Sequence, residues 1–138
     1  MILSVYTDGG SRGNPGHSGY GVVFQDEQGQ AVHTISQYIG IKTNNEAEYS
    51  ALIDALTWLN DHQNEFDIQR INFYADSQLL VRQVQGIYKV KAPNIVPLHR
   101  TVMSLLSTLK FPYTFTDVRR ESNQLADDLA NQAMDRKK

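Results

Sequence analysis

Four carboxylates stand where the character of the chain changes. Asp8 follows the apolar, β-branched run of residues 2–7, and Asp76 follows the short run 71–75. Glu48 heads a stripe formed by Leu52, Ala55 and Leu59, four, seven and eleven residues later, and Asp127 falls in the first turn or so of the last helical stretch. Each has an ordinary explanation taken singly. Aspartate suits strand ends and turns because it bonds nearby backbone N–H groups, and an acid in a first helical turn complements the helix dipole. Together, however, all four fall at the ends of elements, where a mixed sheet could bring them to one edge. Carboxylates gathered there would repel one another, whereas two divalent cations roughly 3.5–4 Å apart would offset the charge and leave room for a phosphate. Oxygen-only donors suit Mg²⁺ or Mn²⁺ rather than zinc. The chemistry this set could perform is metal-dependent phosphoryl transfer.

The elements that must position these acids follow from the hydrophobic periods. Strands are expected at residues 2–7, 20–25 and 31–39, with a turn enforced by the glycines and proline of 8–16 and another at 26–30. The spacing then lengthens to a helix over 45–60, with Thr43 or Asn44 as its N-cap. A strand at 71–75, a helix over 77–85, a connector at 88–93 and a helix from Ile95 to Leu109 come next, with Pro97 in that helix's first turn. A last strand at 113–118 and a last helix over 123–134 complete the chain. Three antiparallel strands followed by alternating helices and strands predict an α/β fold: a five-stranded mixed sheet with helices on both faces.

A length of 138 residues suits one domain, 1–138. The chain has no cysteine, which excludes disulfides, thiolate zinc sites and cysteine nucleophiles. Thirteen basic against fifteen acidic residues leave a net charge of −2, so bulk attraction to polyanions is excluded and any nucleic-acid contact must be local. No apolar run approaches the roughly 20 residues of a membrane span, and the N-terminus lacks the pattern of a signal peptide. The expectation is a cytoplasmic monomer with no membrane contact and no obligatory protein partner.

The strings around the acids are Thr7-Asp8-Gly9-Gly10-Ser11-Arg12-Gly13-Asn14-Pro15-Gly16, Thr43-Asn44-Asn45-Glu46-Ala47-Glu48, Ala75-Asp76-Ser77-Gln78 and Asn123-Gln124-Leu125-Ala126-Asp127-Asp128-Leu129-Ala130. In this order and at these distances the chain resembles the type 1 ribonuclease H family over nearly its whole length. The resemblance implies the ribonuclease H fold and an endonuclease that hydrolyses the RNA strand of RNA–DNA hybrids with two ions, Mg²⁺ or Mn²⁺, leaving 5′-phosphate and 3′-hydroxyl ends. By motif, Asp8, Glu48, Asp76 and Asp127 would be the catalytic, metal-binding acids. Asp127 is preferred to Asp128 because it lies four residues after Asn123, as the family's Asn-x-x-x-Asp-x-Leu-Ala pattern requires. Telling RNA from DNA rests on the 2′-hydroxyl, which donates and accepts hydrogen bonds. For that task the resemblance implies the amides of Asn14, Asn44, Asn45 and Gln78, with the backbone around Gly9, Gly10, Ser11 and Gly13.

Two departures from the family pattern stand out. The loop Arg119-Arg120-Glu121-Ser122-Asn123 lacks the histidine that well-studied members carry, so Arg120 or Glu121 is expected to take over part of its function at the scissile phosphate or a metal-bound water. Residues 83–94 carry only Lys89 and Lys91 in place of a basic protrusion, with Tyr88 beside them as a further backbone contact. No appended hybrid-binding module is expected before Asp8. The alternative function is a catalytically weak or inactive hybrid-binding module. A DNA strand-transfer enzyme of the same superfamily is disfavoured by the amides suited to a 2′-hydroxyl. Few phosphate contacts should give a shallow log–log dependence of hybrid affinity on salt; a slope like that of a protein making about ten contacts would refute this.

Overall fold

The computed structural model describes residues 1–137. Five strands, β1 (Ile2–Arg12), β2 (Gly16–Gln25), β3 (Ala31–Lys42), β4 (Arg70–Ala75) and β5 (Tyr113–Asp117), form one sheet in the order β3-β2-β1-β4-β5. The first three pair antiparallel, and β4 and β5 join in parallel. Four helices complete it: α1 (Asn44–His62), α2 (Gln78–Val84), α3 (Val96–Ser107) and α4 (Gln124–Arg136), the last entered through a 3-10 turn at Arg120–Asn123. This is the expected five-stranded mixed sheet.

The alternation of β1 divides the molecule into two faces. Leu3, Val5, Thr7 and Gly9 point to one side, where α1 buries Leu52, Ala55, Leu56 and Leu59 in the main core. Ser4, Tyr6, Asp8, Gly10 and Arg12 point to the other, which α4 covers with Ala126, Ala130, Ala133 and Met134. The glycines mark both contacts. A Cβ on Gly9 would collide with the α1 backbone at Ala47, and one on Gly21 would strike the carbonyl oxygen of Ala126 in α4. Helix α1 starts on a capping box: Glu46 N donates to Thr43 Oγ1 and Thr43 N to Glu46 Oε1.

One expectation is corrected. The glycines after Asp8 do not end the strand: β1 continues to Arg12, and only residues 13–15 turn. The physical reason is a long antiparallel partner. Gly9 pairs with Tyr20, Gly10 with Gly19 and Arg12 with His17, so the ladder holds what the glycines alone would release. Asp8 therefore lies inside a strand, at the point where its parallel neighbour stops, since the last β1–β4 pair is Thr7 with Ala75. Among the described residues no helix is long and apolar enough to cross a membrane.

Gly21 sets how closely α4 lies on the sheet, with Leu129 Cβ 2.6 Å and Ala130 N 2.8 Å from where a Cβ would stand. Gly21→Ala is expected to lower stability by about 2–3 kcal/mol in urea unfolding. A loss below about 0.5 kcal/mol, the size of an ordinary surface change, would show that the helix is not seated this way.

Candidate active site

Each acid reaches the site by a different route. Asp8 points from β1 toward α4, and Asp76 is the first residue beyond β4, at the level of Asp8 on the neighbouring strand. Glu48 arrives because α1 begins over Gly9, whose missing side chain lets the helix backbone touch the strand. Asp127 is placed by the turn before α4: the buried Asn123 donates from Nδ2 to Thr7 O at 2.9 Å, tying that turn to β1 one residue before Asp8. Ser77 caps α2 through its hydroxyl, accepting from Leu80 N at 3.1 Å, and also bonds the Glu48 carboxyl. The four acids meet in a single open cavity of about 310 Å³ whose lining is mostly polar.

Burial and proximity show in the proton affinities of Asp8, Glu48 and Asp76. Asp8, only 8% exposed, has its pKa pushed up to about 9 by burial first and then by the charges and hydrogen bonds of Asp76 and Asp127. Glu48 rises to about 7, again chiefly through burial, with Asp76 adding repulsion and Ser77 opposing it. Asp76 is raised as well, mainly by burial, although the bond to Asp8 and the Arg120 charge work against the rise. Burial and its acidic neighbours thus favour the protonated form of Asp8, and a nearby cation would favour the carboxylate instead. Among the described residues no three His, Cys, Asp or Glu side chains are grouped closely enough to hold a metal ion by themselves. Mg²⁺ keeps several waters and is commonly held by one or two carboxylates together with substrate phosphate. The carboxylate donors are all oxygen, and Arg12 and Arg120 line the same cavity.

The rim is built from amides and glycines. Ser11 N donates to Asn44 Oδ1 at 2.8 Å, and Asn44 N donates to Asn14 Oδ1 at 3.1 Å, so both asparagines brace the loop that follows β1. The Ser11 hydroxyl bonds the carbonyl oxygens of Gly13 and Lys42, and Gly13 takes φ +95°, a conformation open to glycine. Gly9, Gly10, Ser11 and Asn44 line the acid cavity; Gly13 and Asn14 stand behind it. Asn45 and Gln78 are exposed in the first turns of α1 and α2, outside the cavity lining. Arg120 lies at the mouth, 3.7 Å from Asp127 Oδ1. Glu121 does not join it, since it lines a different cavity with Tyr6, Gln25 and Leu125. Tyr88 and Lys89 belong to a third, with His99 and Arg100. Sequence reasoning missed Arg12, Asn131 and Met134, which also line the acid cavity. Positions 8, 10 and 12 share one face of a strand, a signal hidden by expecting a turn at the glycines.

The family model described as reverse transcriptase-like matches residues 6–133. A bifunctional protein of Mycobacterium tuberculosis is 38% identical over 136 residues, covering 98% of this chain and 36% of that protein. The chain thus spans about a third of the length of this relative. The ribonuclease H of Chlorobium luteolum is 30% identical over 151 residues, covering 98% of this chain and 97% of that one. Among solved structures, LC11-RNase H1 in complex with an RNA/DNA hybrid superposes with a TM-score of 0.91 at 42% identity, over 97% of both chains. The fold, the placement of the acids and these likenesses agree: the chain belongs to the reverse transcriptase-like family, with the type 1 ribonuclease H proteins.

Proposed function

We propose that this chain is a divalent-cation-dependent endonuclease that hydrolyses the RNA strand of RNA–DNA hybrids, leaving 5′-phosphate and 3′-hydroxyl ends. The observation that carries this reading is the convergence of Asp8, Glu48, Asp76 and Asp127 from four separate elements on one open polar cavity. It is supported by the likeness to LC11-RNase H1, whose structure holds an RNA/DNA hybrid.

The four acids would hold two ions, Mg²⁺ or Mn²⁺. When bound, the ions supply Lewis-acid activation of the attacking water and offset charge on the leaving oxygen and the phosphate. The chain's own residues do the rest. Burial of Asp8 and its tie through Thr7 to Asn123 fix the central carboxylate, while Ser77 orients Glu48. Glycines 9 and 10 leave the floor of the cavity bare, so the RNA backbone can come close. Asn44, held by Ser11 and backed by Asn14, offers an amide at the edge where a 2′-hydroxyl would lie. Arg120, with 78% of its side chain exposed, can reach a phosphate entering beside Asp127.

On a labelled hybrid in Mg²⁺, Asp8→Asn or Asp127→Asn is expected to slow cleavage by more than the roughly 10–100-fold that losing a residue behind a metal ligand costs. Arg120→Ala should cost roughly 10-fold, the loss of one charged hydrogen bond, while Glu121→Ala, on another cavity, should cleave at the wild-type rate. Wild-type protein that leaves the hybrid intact in both Mg²⁺ and Mn²⁺ would remove the nuclease reading.

The acid cavity also predicts how the apo protein responds to pH. Asp8 titrates near 3.8 when free and about 9 when folded, so between these values the folded chain holds a proton that the unfolded chain releases. The contribution of Asp8 to stability is therefore fully present below about pH 4 and is lost as pH rises toward 9, with Glu48 adding to the loss between its ordinary 4.5 and about 7. In EDTA the melting temperature should fall from pH 5 to pH 8. Asp8→Asn should raise it at pH 8 by on the order of 3–6 °C and flatten the pH dependence. A wild-type melting temperature that climbs over this range would show that the acids do not repel in the folded chain.

A further inference from the structure

Arg12 ends β1 on the same face of the sheet as Asp8 and Gly10, and its side chain lines the acid cavity. Its guanidinium is paired with the Asp135 carboxylate and lies 3.4 Å from Asn131 Oδ1. Asp127, Asn131 and Asp135 recur every fourth residue of α4, so they form one edge of that helix. Arg12 therefore lies along the edge that carries Asp127, on the side away from Arg120. The guanidinium is held at Asp135, eight helical residues or about 12 Å along α4 from Asp127, so a phosphate meeting Arg12 there is not the one between the four acids.

The ion pair is built to be exchanged. Its two side chains are 45% and 65% exposed, and ion pairs this open contribute only about 0–1 kcal/mol. A phosphate offers the same paired oxygens as the Asp135 carboxylate, a geometry that guanidinium matches with two parallel hydrogen bonds. Asn131 stays behind in either case, because its Nδ2 donates to Asp127 O at 3.1 Å and its Oδ1 remains turned to Arg12. With thirteen basic against fifteen acidic residues, bulk charge does not draw nucleic-acid backbone to the chain, so individual cations placed beside the cavity matter more.

We propose that Arg12 grips a backbone phosphate of the strand running past the acid cavity, and that Asp135 holds its guanidinium until that phosphate displaces it. The proposal rests on the reading of this chain as a hybrid nuclease and extends its binding track beyond the cut site, along α4. Asp135 then acts against binding twice, by occupying the arginine and by repelling the backbone.

Binding of a fluorescein-labelled RNA–DNA hybrid, followed by anisotropy over a range of salt with Ca²⁺ in place of Mg²⁺, tests it. Arg12→Ala is expected to weaken binding roughly 10-fold and to make the log–log salt slope shallower by about 1. Arg12→Lys should keep the slope, because it keeps the charge, and Asp135→Ala should bind more tightly than wild type. Melting temperatures of the variants should stay close to wild type, since an exposed pair is being removed. Wild-type affinity and slope in Arg12→Ala would overturn the proposal. So would an Asp135→Ala protein that binds no tighter than wild type, which would mark the pair as a structural brace. Wild-type protein that fails to bind the hybrid in this buffer would instead overturn the nuclease reading itself, and the proposal with it.

Discussion

Like charges confined in a half-buried cavity repel one another, and every element that delivers Asp8, Glu48, Asp76 and Asp127 must hold its position against that repulsion. Solvent screening is weakest for Asp8, the most buried of the group, which is why its proton is held most tightly. The strain is spread over two neighbouring strands and two helices on opposite faces of the sheet, each anchored by packing remote from the cavity.

That packing depends on small residues as much as on large ones. The α1 face is an ordinary aliphatic core, built from Leu52, Leu56 and Leu59 against Leu3, Val5, Val22 and Phe24. The α4 face is different, because Ala126, Ala130 and Ala133 meet Gly19 and Gly21 and let the helix lie almost on the strands. Close approach brings Asp127 near Asp8, an outcome that larger side chains would prevent by lifting the helix. Asn123 adds a hydrogen bond from the helix entrance to Thr7, so sheet and helix are joined one residue from the central acid. The placement of the acids is therefore a consequence of steric absence at the glycines and of one buried amide.

Much of this was legible in the residues. The order of elements, the mixed sheet, a cap at Thr43 or Asn44, which the structure places at Thr43, and the position of Pro97 all follow from local periodicity and cap chemistry, which operate over a few residues. The four acids were singled out as element-end anomalies, although Asp8 lies within β1, and the resemblance of their flanking strings chose Asp127, which lines the acid cavity, over Asp128, which lines another. The extent of β1 was not. Glycines lower strand propensity locally, but Gly9 and Gly10 are held in the sheet by partners about ten residues away, and no local rule weighs that pairing. Misplacing the turn also hid Arg12, whose relation to Asp8 is visible only once positions 8, 10 and 12 are known to alternate on one strand. Glu121 failed for a similar reason: in a tight 3-10 turn adjacent residues point in different directions, so Arg120 faces the acids while Glu121 faces Tyr6.

The distribution of charge completes the logic. If, as proposed, a protein with a net charge of −2 meets a polyanion, it cannot rely on a long-range field, so its recognition has to be short-ranged and geometric. Uncharged groups suit that condition, because the amides of Asn14 and Asn44 and the bare glycine backbone make no demand on net charge and respond to shape and to hydroxyls. Cations are then needed only where an anion must be oriented, and the structure sets Arg12 and Arg120 on either side of the acid cavity, each beside an aspartate of α4. On the proposed reading, the carboxylates that repel phosphate would attract it only once divalent ions had reversed the local sign. Substrate affinity and catalytic readiness would then be coupled through one electrostatic balance, seated on a single helix edge and the strand it covers.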